Sequence, residues 1–112
     1  MEKNEKTVKK ITKADITKVR MEIIFSEALE EDFLQEFKEC VVGKHYTKFS
    51  HVMGAGYSNP HLGDSVWPQL NMMYIIYCEK EEAKKIRKII IKLRKKYLTE
   101  GIACFMSQAM EL

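Results

Sequence analysis

Residues 70–79, LNMMYIIYCE, constrain the fold more than any other stretch, because they are apolar in both of their alternating rows. One row consists of Met72, Tyr74, Ile76 and Cys78, and the other of Met73, Ile75 and Tyr77. A strand with two apolar faces must be covered on both sides. If helices cover one face, the other is left as an apolar patch, and such patches usually mark an interface. The segment therefore predicts a sheet strand in a tight homo-oligomer.

Six segments of the chain carry the periodicity of a strand or a helix. Strands are predicted at 18–26, 44–53, 70–79 and 102–112, and helices at 26–43 and 79–101. The order β-α-β-β-α-β is the split pattern of a ferredoxin-like fold. We therefore expect an α+β domain in which two helices pack on one face of an antiparallel sheet.

The two predicted helices have sequence signals at their ends. Ser26 is the expected N-cap of the first helix, and Gly43 follows its end as a C-cap does. Its apolar stripe is predicted to consist of Leu29, Phe33, Phe37 and Cys40 or Val41. The second helix opens with acids and closes with bases, which complements the helix dipole. Its predicted apolar face consists of Ala83, Ile86, Ile90, Leu93 and Tyr97.

Composition limits the class of protein. With 112 residues, 46% of them hydrophobic and 31% charged, the sequence is typical of one globular domain. We expect that domain at 17–112, after a flexible basic tail at 1–16. The three cysteines include no CxxC pair, and their odd number does not suit a disulfide framework, which predicts a reducing compartment. Without a signal-peptide core or an apolar run of about 20 residues, we expect a cytoplasmic protein with no membrane insertion.

Two further function classes are disfavoured by the distribution of charge. The basic stretch KKIRKIIIKLRKK, residues 84–96, carries an apolar stripe and no interleaved aromatic residues for base stacking, so we expect no nucleic-acid partner. Acidic residues cluster at the predicted helix starts, where the helix dipole explains them. No nucleophile with a supporting base is visible in the sequence, and we therefore do not expect an enzyme.

The loop at 53–71, MGAGYSNPHLGDSVWPQLN, is unlike the rest of the chain. It holds three of the five glycines, the only tryptophan and an Asn-Pro turn. Gly54 and Gly56 could adopt a positive φ, allow a backbone or phosphate to approach closely, or mark a bulge at the strand end. Trp67 is either an anchor folded onto the protein or a contact for a ligand or partner. These features predict a compact recognition loop.

A metal site is a second interpretation of the same loop. His51, His61 and Asp64 could offer nitrogen and oxygen ligands to a divalent metal. The alternative is that these side chains make ordinary hydrogen bonds in turns.

The predicted topology and the position of the long loop resemble the nitrogen regulatory PII and PII-like signalling superfamily. The resemblance covers residues 18–110. At the level of motifs the sequence is similar to an uncharacterised short-loop branch, through Gly54 and Gly56, then Pro60 and Gly63, then Trp67, Pro68 and Asn71. The resemblance implies a homotrimer that binds a small effector, such as an adenine nucleotide or another anion, in clefts between subunits. The 53–71 loop would then report the bound state to a protein partner, through Gly54, Gly56, Tyr57, His61, Asp64 and Trp67.

The sequence also departs from the PII pattern. PII proteins carry a glycine-rich segment with a lysine between the second helix and the fourth strand, where it grips ATP phosphates. Here that connection is YLTEGIACF, with no glycine pair and no lysine after Glu100. Two alternatives therefore stay open. One is a trimer similar to the CutA proteins, with His51, His61 and Asp64 as ligands of a divalent metal; the other is a structural interaction module.

Overall fold

A computed structural model of the protein describes residues 12, 17–56, 62–63 and 69–112. The elements in chain order are strand β1 at Lys18–Ser26, a 3₁₀ turn at Glu27–Leu29, helix α1 at Glu30–Cys40, strand β2 at Thr47–Val52, strand β3 at Asn71–Cys78, helix α2 at Lys80–Lys96 and strand β4 at Ile102–Ala109. This is the predicted order of strands and helices. The expected basic tail falls outside the described residues, apart from Thr12.

The four strands form one sheet in the order β2-β3-β1-β4, and every neighbouring pair is antiparallel. The two central strands, β1 and β3, are the two with the most buried residues. Ile24 on β1 lies between Met73 of β3 and Ala103 of β4 in the register of the sheet. The expected ferredoxin-like α+β fold is therefore confirmed.

Both helices pack on one face of the sheet and enclose the core. On that face β1 contributes Met21, Ile23 and Phe25, and β3 contributes the predicted row Met72, Tyr74, Ile76 and Cys78, all of them buried. Phe33 of α1 packs against Phe25 with 4.5 Å between the ring centroids. Burying a large apolar side chain stabilises a fold by about 1.5–3 kcal/mol, so this single cluster holds sheet and helices together.

The first helix begins as predicted but ends differently. The Ser26 hydroxyl accepts a hydrogen bond from the Ala28 backbone N–H and caps the 3₁₀ turn that leads into α1. The left-handed C-cap is Val41, with φ of 54°, rather than Gly43. Cys40 and Val41 are exposed, so the end of the predicted stripe was wrong. The tight turn at Val41 instead directs Val42 into the core.

Gly43 has a role other than the predicted cap. Its φ is +65°, and a Cβ built there would lie 2.2 Å from the Phe37 ring. Its backbone N–H donates to the Glu82 carboxylate at 2.7 Å, which ties the α1–β2 connection to the start of α2. Glycine is needed here because only a residue without a side chain fits both the left-handed backbone and the ring.

Helix α2 has the predicted buried face. Ala83, Ile86, Ile90 and Leu93 are buried together with Ile89, and Tyr97 packs at the edge of the core. At its C-terminal end the Arg94 guanidinium donates to the Ile102 carbonyl at 2.9 Å, joining the helix to β4. Within the part of the chain that the structure describes, neither helix is long and apolar enough to cross a membrane.

Candidate functional site

The 53–71 loop leaves the sheet at the irregular end of strand β2. The β2–β3 pairing shifts register between Phe49 and Val52, and His51 within this bulge has φ of 58°. The expected bulge therefore lies before the glycines. Gly54 and Gly56 do not adopt a positive φ, whereas Gly63, further along the loop, has φ of +71°.

Gly54 is approached closely by a side chain, not by the backbone or phosphate that the sequence suggested. A Cβ built on Gly54 would lie 2.6 Å from the Asn71 side-chain nitrogen, at the start of β3. The two ends of the loop therefore meet at Gly54 and Asn71. Gly56 differs, because a Cβ built there would meet nothing within 4 Å. Only the first glycine of the pair is required by packing.

The returning end of the loop is held by the junction of β1 and the 3₁₀ turn. The Ser26 hydroxyl donates to the Gln69 side-chain oxygen at 3.2 Å, and the Glu27 backbone N–H donates to the Leu70 carbonyl at 2.9 Å. Ser26 is fully buried and uses its one hydroxyl both to cap the turn and to hold the loop. The return of the loop is thus coupled to the start of α1.

A cleft of about 880 Å³ opens beside the two ends of the loop. One wall is the loop base at 52–56, and the opposite wall is the α2–β4 connection at 98–101. The floor includes Ile24, Met73 and Ala103, which form one cross-strand row at the end of the sheet. A concave, mostly apolar surface with a few polar groups is the usual form of a small-molecule site.

The polar groups of the cleft are few. Among the described residues that line it, Asn71, Thr99 and Glu100 carry polar side chains. Glu100 is half-buried, and its backbone N–H donates to the Tyr97 carbonyl at 3.2 Å. The described lining therefore contains one carboxylate, one amide and one hydroxyl beside an apolar floor.

No helix among the described residues covers the sheet face opposite α1 and α2. Its apolar side chains lie on all four strands: Ile24, Phe49, Met73, Ile75, Tyr77, Ala103 and Phe105. Phe105 is 63% exposed and Tyr77 is 55% exposed, a large apolar area for a surface. Arg20 and Glu22 form an ion pair of 3.1 Å on the same face. The predicted second row of β3 is therefore part of this open sheet face, which continues into the cleft floor.

A polar cluster fixes the edge strand β2 beneath the loop. Glu30 accepts from the Tyr74 hydroxyl at 2.6 Å and pairs with Lys48 of β2 at 2.7 Å. Burial acts to raise the pKa of Glu30, but the hydrogen bonds from Lys48 and Tyr74 outweigh it, so the pKa is lowered. Burial and the Glu30 carboxylate together raise the pKa of Tyr74, which remains a neutral donor. The cluster thus gives the bulge of β2 a rigid base.

The six predicted loop residues divide into two groups. Tyr57, His61, Asp64 and Trp67 lie outside the described residues, as do Pro60 and Pro68. Of the six predicted residues, Gly54 and Gly56 line the wall of the cleft. The functional roles of all six loop residues stay predictions.

Of the three predicted metal ligands, only His51 belongs to the described residues. The His51 side-chain nitrogen Nδ1 lies 3.4 Å from the Glu27 carboxylate, and His61 and Asp64 are not described. Among residues 12, 17–56, 62–63 and 69–112, no group of three or more potential ligands is close enough to hold a metal ion. The metal interpretation therefore stays a prediction that depends on the loop.

Three parts of this site were missed by sequence reasoning. The Ser26–Gln69 contact joins residues far apart in sequence, and no local pattern indicates it. Glu100 was noted only where a PII lysine is absent, although it follows a helix end and precedes Gly101, where a tight connection exposes side chains. The cluster of Glu30, Lys48 and Tyr74 could have been anticipated from a tyrosine in an otherwise apolar row, since a buried hydroxyl needs a partner.

The sheet order, the helices on one face and the cleft at the base of the β2–β3 loop define an α+β ferredoxin-like protein with a candidate ligand site. No model of a protein family and no curated protein matches the sequence. Solved structures do match. CPII, a nitrogen regulatory PII-like protein from Thiomonas intermedia K12 with ADP, AMP and bicarbonate bound, aligns with a TM-score of 0.62 at 17% identity over 86% of this chain and 93% of that one.

A second protein gives the same result. A protein from Thermus thermophilus assigned to the PII-like signalling proteins aligns with a TM-score of 0.60 at 17% identity, over 87% of this chain and 90% of that one. The apo form of CPII aligns less well, with a TM-score of 0.53. The chain therefore has the fold of the PII-like proteins, which confirms the resemblance at the level of structure.

Proposed function

We propose that this protein is a cytoplasmic, homotrimeric PII-like regulator, not an enzyme, with one signalling domain at 17–112. It binds a small adenine-containing effector in the cleft beside the 53–71 loop, and the loop relays the bound state to a protein partner. The observation that carries the proposal is the continuity of the cleft floor with the open sheet face. A second copy packed on that face would complete the cleft, so that effector binding and assembly use one surface.

The trimer is supported by the open sheet face. Three of its aromatic side chains, Phe49, Tyr77 and Phe105, are 45–63% exposed, and burial of the part still exposed would contribute about 1 kcal/mol for each. Light scattering should give three times the chain mass of 13.1 kDa. Phe105→Asp should yield a folded monomer, because a buried unpaired charge is too costly at an interface. Leu34→Asp, on the outward side of α1, is the matched control and should leave the trimer intact.

The effector site is supported by the cleft and by the ADP and AMP bound to CPII. Thermal unfolding should be measured with ATP, ADP, AMP, adenosine, bicarbonate and divalent metals. A true effector at 100 times its Kd should stabilise the protein by about 2.7 kcal/mol, a shift of several degrees. Gly54→Ala should weaken that effect severalfold, because the new Cβ displaces Asn71, whereas Gly56→Ala should not.

The relay can be tested through Trp67, the only tryptophan of the sequence. Effector binding can shift the loop only if it has different affinities for two loop arrangements. A change in tryptophan emission that saturates with the effector would support the relay. Stabilisation by metal alone would favour the CutA-like alternative, and no response to any compound would favour the structural interaction module.

A further inference from the structure

The charge that the described residues of one chain contribute to the cleft does not match a phosphate-binding site. Its described lining contains no lysine, arginine or histidine, and its one charged side chain is the Glu100 carboxylate. Phosphate groups in protein sites are normally met by cations or by clustered backbone N–H groups. The long basic helix α2 does not supply them, because its lysines and arginines are absent from the described lining.

Glu100 favours ligands that donate hydrogen bonds. An ionised carboxylate only accepts hydrogen bonds, and a phosphate oxygen only accepts as well. None of the ion pairs among the described residues includes Glu100. No described basic side chain therefore neutralises the Glu100 carboxylate. Two like charges in a half-buried site repel more strongly than in water. A phosphate chain that entered the cleft would meet this repulsion.

The floor of the cleft favours a flat apolar ring. Met73, Ile24 and Ala103 lie side by side on three neighbouring strands and form a continuous apolar row. A purine ring can cover such a row, and its amino group or the ribose hydroxyls can donate to an acceptor at the wall. Glu100 and the hydroxyl of Thr99 lie on that wall.

We infer that the cleft selects an uncharged nucleoside with an amino-bearing base, for which adenosine is the probe, over its phosphorylated forms. The inference rests on the proposed function, since it takes the cleft as the effector site. It assigns Glu100 the role of the specificity-determining residue, because this carboxylate attracts the donors of the nucleoside and repels the phosphates of nucleotides.

The test is isothermal titration of the full chain with adenosine, AMP, ADP and ATP, without divalent metals that would neutralise phosphate charge. We expect adenosine to bind most tightly and ATP to bind about tenfold more weakly or worse, as a like-charge contact predicts. Glu100→Gln should reduce that ratio to less than about threefold. Glu81→Gln is the matched control, because Glu81 is exposed at the opposite end of α2, and it should leave the ratio unchanged.

The outcomes separate this inference from the proposed function. Tighter binding of ATP than of adenosine would overturn the inference and would support an adenine-nucleotide sensor. An adenosine-to-ATP ratio that Glu100→Gln leaves unchanged would overturn the role of Glu100. Binding of none of the four compounds would overturn the inference and the proposed effector site together.

Discussion

Replacement of Ser26 by alanine tests how firmly the loop and the first helix depend on one side chain. The Ser26 hydroxyl is fully buried, accepts from the Ala28 backbone N–H at 3.3 Å and donates to the Gln69 side chain at 3.2 Å. Loss of a side-chain cap costs about 1 kcal/mol. Loss of the second hydrogen bond costs about 0.5 kcal/mol, because exposed Gln69 regains water as a partner. We therefore expect Ser26→Ala to lower the free energy of unfolding by about 1.5 kcal/mol.

The assay is thermal and urea unfolding at one fixed protein concentration, since an oligomer unfolds in a concentration-dependent way. For a domain of this size, about 1.5 kcal/mol corresponds to a fall of about 6–12 °C in Tm. Gln69→Ala isolates the weaker bond and should cost only about 0.5 kcal/mol. Ser50→Ala, at an exposed position of β2, is the control and should change stability by less than about 0.5 kcal/mol. If Ser26→Ala were no worse than Ser50→Ala, the reasoning from the shared hydroxyl would be refuted.

Three further predictions concern stability and reactivity. Gly43→Ala should destabilise the fold by several kcal/mol in urea unfolding, because its Cβ would overlap the Phe37 ring on a left-handed backbone; a near-neutral result would contradict the assigned packing. Iodoacetamide should label exposed Cys40 in the native protein, whereas Cys78, whose pKa burial raises to about 11, should react only after unfolding. Glu30→Gln should lower stability at pH 7 by about 1 kcal/mol or more, since the folded pKa of Glu30 is lowered and its contribution is complete above the unfolded value near 4.5. That penalty should shrink as the pH falls through the folded pKa, and a constant penalty in urea unfolding between pH 7 and pH 3 would argue against the ion pair.

Periodicity was enough to predict the fold. The two apolar rows of β3 were recognised as such, and the structure buries one row against the helices and leaves the other open. The order of strands and helices followed from the places where the apolar pattern changes between the strand period and the helix period. The end of α1 was not predictable in this way, because Val41 adopts a left-handed conformation that β-branched residues rarely take. Burial of the Val42 side chain offsets the free-energy cost of the left-handed backbone at Val41.

The candidate site was predicted only in part. Gly54 and the loop base were identified from composition, and the structure places them in the wall of a cleft. The opposite wall could not be predicted, since residues 98–101 come together with the loop base only through the register of three strands. Long-range contacts of this kind leave no local pattern, and the Ser26–Gln69 hydrogen bond is missed for the same reason.

The fixed ends of the 53–71 loop have a consequence for how proteins of this kind can diversify. One end packs closely against Asn71 at Gly54, and the other is held at Gln69 and Leu70 by the β1 junction, so both contacts lie outside residues 57–68. Doubling the length of a loop between fixed ends adds only about 0.6 kcal/mol of closure entropy. Foreign sequences grafted between these contacts would therefore leave sheet and helices intact, and one scaffold could acquire new partners by exchanging a single segment.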